Sequence, residues 1–230
     1  MAGKVSNPAA PVHPALPAPL RVPLAVVSVL GAIGTVVLAI VFAGQDVPSA
    51  FDRWMLAVIE PTVPVPKATF TPAWFVSTAG DPPFAAVFVL VLGIVCWRTG
   101  RRRLAALTVA ATIVNGIFST VLKPVIGRTI NDGHTSYPSG HTAWLTGMGI
   151  VVGLLLADHL RAGRVAGLAL VLGLALAGGL VMGWAQTGTI VHYATDTIGG
   201  FGLALALVPG TAWLVDRFLF KEAPDGPRTL

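Results

Sequence analysis

The sequence predicts an all-α protein, a bundle of six membrane-crossing helices whose chemically active loops gather at the outer membrane face. Three observations carry this reading. Of the 230 residues, 54% are hydrophobic and only 11% are charged, a balance foreign to ordinary soluble domains. Six apolar stretches recur along the chain, most of them close to the roughly 20 residues a helix needs to cross about 30 Å of hydrocarbon. The basic residues sit at the ends of these stretches, on alternate loops.

Residues 1–20 are rich in Pro and Ala, show no apolar period and read as a disordered tail. The apolar run from Val22 is too long for a signal core and has no convincing cleavage site, so it is expected to be retained. Residues 22–44 carry no charge and form the first span. Between Asp46 and Asp81 the chain mixes Pro, Trp and charges; a short interfacial helix over 51–59, with Trp54 and Trp74 at headgroup depth, would shape a lipid entrance. The second span is short, because the charge-free stretch between Asp81 and Arg98 crosses only if the helix starts near Pro82 and runs to its basic end. Spans three to six are expected over 104–122, 139–156, 165–184 and 191–214. The membrane domain then covers 21–218, followed by a tail over 219–230.

Lys and Arg favour the cytoplasmic side of short loops. Arg98, Arg101, Arg102 and Arg103 lie between spans two and three, Arg161 and Arg164 between four and five, and Lys4, Arg21, Arg217 and Lys221 flank the ends. This puts both termini in the cytoplasm and the loops after spans one, three and five outside, as in a bacterial inner membrane. The net charge of +5 forms no basic and aromatic stripe and does not point to nucleic acid. The single cysteine, Cys96, excludes an intramolecular disulfide.

Three stretches fall at outward helix ends: Lys123 to Arg128, Pro138-Ser139-Gly140-His141, and His192 to Asp196. Ionisable groups at hydrocarbon depth are costly and usually serve a site. Ser139 can cap a helix whose free amides, including that of Gly140, point at an anion. His192 and Asp196 are four apart and share a helix face, so the carboxylate can hold one ring nitrogen while the other acts as nucleophile. Taken singly, each stretch also has a plainer reading: a helix start with a solvent-facing His141, a satisfied polar pair at a helix end, and Lys123 as a snorkelling anchor.

Taken together and in order, these stretches resemble the three signature motifs of the type 2 phosphatidic acid phosphatase family, lipid phosphatases related to vanadium haloperoxidases. The resemblance covers roughly residues 22–218, with the Pro138 to His141 motif complete, Lys123 leading the first motif, and His192 with Asp196 closing the third. It implies metal-independent hydrolysis of a phosphomonoester or diphosphate of a lipid or polyprenyl carrier through a phosphohistidine, without a cofactor. It implies His192 as nucleophile, Asp196 as its orienting carboxylate and His141 as the acid that protonates the departing oxygen. Ser139 and the Gly140 amide would hold phosphoryl oxygens, and Lys123 would offset their charge.

Where the family pattern carries two arginines, this chain has Ile130-Asn131 and Ala185-Gln186. Losing one preorganised donor can cost about 10²–10³ in rate. Arg128, two residues before the first expected arginine, is the candidate replacement; Asn131, His134 and Gln186 are candidate neutral or switchable donors. The alternative to an enzyme is a noncatalytic relative that binds an anionic lipid or a membrane partner. A transporter has neither internal repeat nor midplane charges in its favour, and the His and Asp spacing offers no convincing zinc motif.

Overall fold

In the computed structural model, which describes residues 13–63 and 71–219, the chain is an all-α membrane bundle. The helices are α1 (Arg21–Phe42), α2 (Ala50–Ile59), α3 (Pro72–Thr78), α4 (Pro82–Arg98), α5 (Arg102–Ile126), α6 (Gly140–His159), α7 (Arg164–Gly188) and α8 (Ala194–Leu214). Five are long and apolar enough to cross a membrane, α1, α5, α6, α7 and α8; α3 and α4, bent by 71° at their junction, make a sixth when the pair is counted as one broken span. The bend follows from Thr78-Ala79-Gly80-Asp81 preceding two prolines: α4 can start at Pro82 because proline needs no helical partner for its missing N–H.

Several boundaries differ from the sequence expectation, each for a local reason. α5 continues past Lys123 to Ile126 and stops at Gly127, whose φ of 67° gives the left-handed C-cap that favours glycine. α7 continues past Trp184 to Gly188, since residues 185–188 are small or polar but buried against neighbouring helices. α8 starts at Ala194 rather than Val191, because Ile190 takes a φ of 58° and breaks the chain direction. The tail expectation is corrected for residues 13–20: Ala15, Leu16 and Leu20 are buried, and the Ala15 and Leu16 amides donate to Asp216 at 2.8 and 2.9 Å. Residues 1–12 and 220–230, with Lys4 and Lys221, lie outside the described residues.

The core is held by close helix contacts rather than by hydrophobic segregation, which lipid would not drive. α6 packs on α7 where Gly153 meets the Val171 backbone, and α1 packs on α8 where Gly31 faces the Gly202 carbonyl. The basic end is tied by ion pairs, Arg101 to Asp158 at 2.6 Å and Arg103 to Asp216 at 3.4 Å. At the opposite end, a two-residue hairpin pairs Thr129 with Thr135 and Ile130 with His134, between α5 and α6. That end also carries the α7–α8 loop and α2.

Candidate active site

The tips of α5, α6 and α8 meet at this end. α6 is capped by Ser139, whose Oγ receives the Thr142 amide at 3.4 Å, and the Ser139 amide donates to the Asp196 carbonyl at 3.0 Å. α8 can approach this closely because Gly199 and Gly200 lie against the Tyr137 ring and the Ser139 carbonyl, where a Cβ would collide. Ser139 is fully buried, and Gly140 borders the cavity described below.

His192 is buried in the α7–α8 loop, with Nδ1 3.5 Å from Asp196 Oδ2, within ion-pair reach but longer than an ordinary hydrogen bond. Asp196 Oδ2 also receives the Tyr193 amide at 3.0 Å as the acidic member of a capping box. Burial lowers the pKa of the imidazole; Asp196 opposes that shift, and the charges of Lys123 and His141 reinforce it. Groups from three helix ends therefore act on this one ring. Lys123 is half-buried in the last turns of α5.

Behind Asp196 lies an arrangement that no spacing in the sequence announces. Arg128 is fully buried, donates from Nη1 to Asp196 Oδ1 and Thr195 Oγ at 2.6 Å each, and from Nη2 to Asp52 Oδ2 at 2.8 Å. Its guanidinium lies between the rings of Phe42 and Tyr193, at 4.2 and 4.4 Å from their centroids. Asp52, on the short helix α2, receives the Thr195 amide and hydroxyl at 2.9 and 2.8 Å on its other oxygen. Burial raises the Asp52 pKa, but the hydrogen bonds from Thr195 and Ser49 outweigh it and leave the carboxyl below its ordinary value.

The expected phosphate-facing role of Arg128 is thereby corrected: two carboxylates and two aromatic faces turn it inward and occupy both terminal nitrogens. Asn131 is exposed in the hairpin turn and donates to the Ile190 carbonyl at 2.6 Å, so it ties two loops together. His134 is exposed on the hairpin. The Gln186 side chain is buried and donates to Ser77 at 3.0 Å, while its carbonyl receives the His192 amide at 3.2 Å. Gln186 thus acts on His192 through the backbone.

Two carboxylates were missed by sequence reasoning. Asp52 had a signal, since Ser49-x-x-Asp52 forms a capping box at the start of α2. Asp81, at the α3–α4 corner, lies 3.0 Å from Nε2 of His141 and had none beyond its place before two prolines.

An apolar cavity of about 890 Å³ runs from His141, Gly140 and Ser119 at this end, between α4 and α5, to Trp97 and Arg102 at the basic end. The helical rise from Arg102 to Ser119 is about 26 Å, most of the hydrocarbon thickness.

No protein-family model and no curated protein sequence matches the chain. Among solved structures it is similar to the first transmembrane PAP2-type phosphatidylglycerolphosphate phosphatase from Bacillus subtilis, with a TM-score of 0.58 and 19% identity over 83% of this chain and 98% of that one. The two chains share a fold.

Proposed function

We propose that this protein is a membrane lipid phosphatase that removes phosphate from a phosphomonoester or diphosphate lipid at the outer face through a phosphohistidine. The observation that supports it most is the placement of His141 at the mouth of an apolar cavity of membrane depth, with His192 and Lys123 close enough to influence each other electrostatically. A cavity of this volume is in the range of ligand sites, and its lining suits an acyl or prenyl tail with the phosphorylated headgroup at the histidines.

In this mechanism Nε2 of His192 attacks phosphorus and the bond to the headgroup oxygen breaks as the nitrogen–phosphorus bond forms. His141 gives a proton to the departing oxygen. Ser139 and the Gly140 amide hold phosphoryl oxygens at the start of α6, and Lys123 offsets their charge. Water then attacks phosphorus, His141 takes its proton, and phosphate leaves a restored His192. No metal enters these steps.

The test is phosphate release from phosphatidate, phosphatidylglycerol phosphate and polyprenyl phosphates or diphosphates, with chelator present, by wild type and His192→Ala. Release by wild type alone supports the reading; equal release by both defeats it, and loss to chelator with recovery on zinc defeats its metal independence. One observation favours a second reading, a noncatalytic binder of anionic lipid: Arg128 is engaged by carboxylates. Saturable lipid phosphate binding without turnover would select it.

A further inference from the structure

We propose that Asp81 positions His141, giving the site a second histidine–carboxylate pair, so that the α3–α4 corner aims the group that protonates the leaving oxygen. The proposal rests on the phosphatase reading above and adds to it a residue from outside the three motif stretches.

Asp81 occupies the N-cap of α4, where an aspartate ordinarily accepts an amide hydrogen bond from its own helix. It makes no such bond. Its Oδ1 lies instead 3.0 Å from Nε2 of His141 on α6, 60 residues away. Beneath the ring, Gly80 leaves no room for a side chain: a Cβ there would overlap the Cδ2 edge of His141. One corner thus supplies both the carboxylate that fixes the ring's rotation and the gap into which the ring fits. The same corner is fastened to the other histidine, since Ser77 receives the Gln186 side chain and the Gln186 carbonyl holds the His192 amide.

With Nε2–H directed to Asp81, Nδ1 is the nitrogen left to exchange a proton. As His192 forms its bond to phosphorus and the ester P–O bond breaks, the bonding pair stays on the departing oxygen and the Nδ1 proton passes to it. His141 is left neutral, its Nε2–H still on Asp81, and accepts a proton at Nδ1 when water later attacks the phosphohistidine. Asp81 touches no reacting atom and acts through His141.

Leaving-group dependence separates this role from a merely structural one. An alkoxide needs a proton to depart, whereas nitrophenolate does not, and kcat/KM reports phosphoryl transfer without the later hydrolysis of the intermediate. The full-length protein in detergent micelles is assayed with a short-chain phosphatidate and with p-nitrophenyl phosphate. Asp81→Asn and Asp81→Ala are expected to lower kcat/KM for the phosphatidate by about tenfold or more and for the aryl phosphate by less than about threefold. Asp81→Glu should recover part of the loss, and Asp81→Ala should add little in a His141→Ala background. Equal losses on both substrates, or none on either, overturn the assignment while leaving the phosphatase reading in place. Where another lipid of the panel above is the one that wild type hydrolyses, it replaces the phosphatidate; wild-type protein that releases phosphate from none of them defeats the phosphatase reading, and this assignment with it.

Discussion

Arg128 and Asp196 form a fully buried ion pair, Nη1 to Oδ1 at 2.6 Å, on the side of the Asp196 carboxylate away from His192 Nδ1, which lies 3.5 Å from Oδ2. With Asp52 on the other nitrogen the set is carboxylate–guanidinium–carboxylate. Removing one member of a buried ionic set leaves a desolvated charge unpaired, at a cost of about 3–5 kcal/mol. Arg128→Met should lower stability by about that amount, read as thermal unfolding in detergent. Arg128→Lys should also destabilise, because a single ammonium cannot reproduce a planar fork between two carboxylates and two rings. Pairing Arg128→Met with Asp52→Asn should cost less than the sum of the two.

The Asp52 carboxyl titrates below its ordinary value in the folded protein. Its stabilising contribution is therefore complete above the ordinary carboxylate value and is lost as pH falls through the lower, folded one. The difference in unfolding temperature between wild type and Asp52→Asn should be largest near neutral pH and should shrink on acidification below about pH 4. A difference that grows on acidification would contradict the sign.

In the proposed mechanism His192 must be neutral to attack phosphorus, and burial lowers its pKa below the ordinary histidine value. The acid limb of kcat/KM should accordingly lie below about pH 6.5. Asp196 pulls against this shift, so Asp196→Asn should move the limb to still lower pH while reducing the rate. A pH–rate series with phosphatidate on both proteins measures each effect.

The fold was legible where hydrocarbon imposes it: an uncharged stretch between Arg21 and Asp46 has few alternatives to a span. The stretch from Asp81 to Arg98 is too short to cross with ease, and in the structure α4 reaches span length and apolarity only together with α3, across a 71° bend. Among the site residues, Ser139, His141, His192 and Asp196 could be placed together because helix ends alternate between faces. The roles of Arg128 and Gln186 could not be read, because they are set by Asp52 and Ser77, 76 and 109 residues away. Local spacing does not encode such partners. Nor does it tell an exposed loop cation from one between two rings.

If a lipid tail lies between α4 and α5, filling that space should discriminate among substrates by length. Gly116 borders the cavity and has nothing within 4 Å of where its Cβ would be, so a side chain starts there without a clash and extends toward the space proposed for the tail. Replacing a mid-helix glycine should itself stabilise α5 by up to about 1 kcal/mol, so misfolding is not the expected result. A leucine that displaces two methylenes of the tail forfeits about 0.8 kcal/mol for each, and about 1.4 kcal/mol corresponds to tenfold in affinity. Gly116→Leu should therefore lower kcat/KM for a long-chain lipid phosphate by roughly tenfold, chiefly through KM. The same variant should act on p-nitrophenyl phosphate, which carries no acyl tail, within about twofold of wild type. Equal effects on the two substrates would place the tail elsewhere, because only a chain that passes Gly116, about 4.5 Å along α5 from Ser119, can sense what is built there.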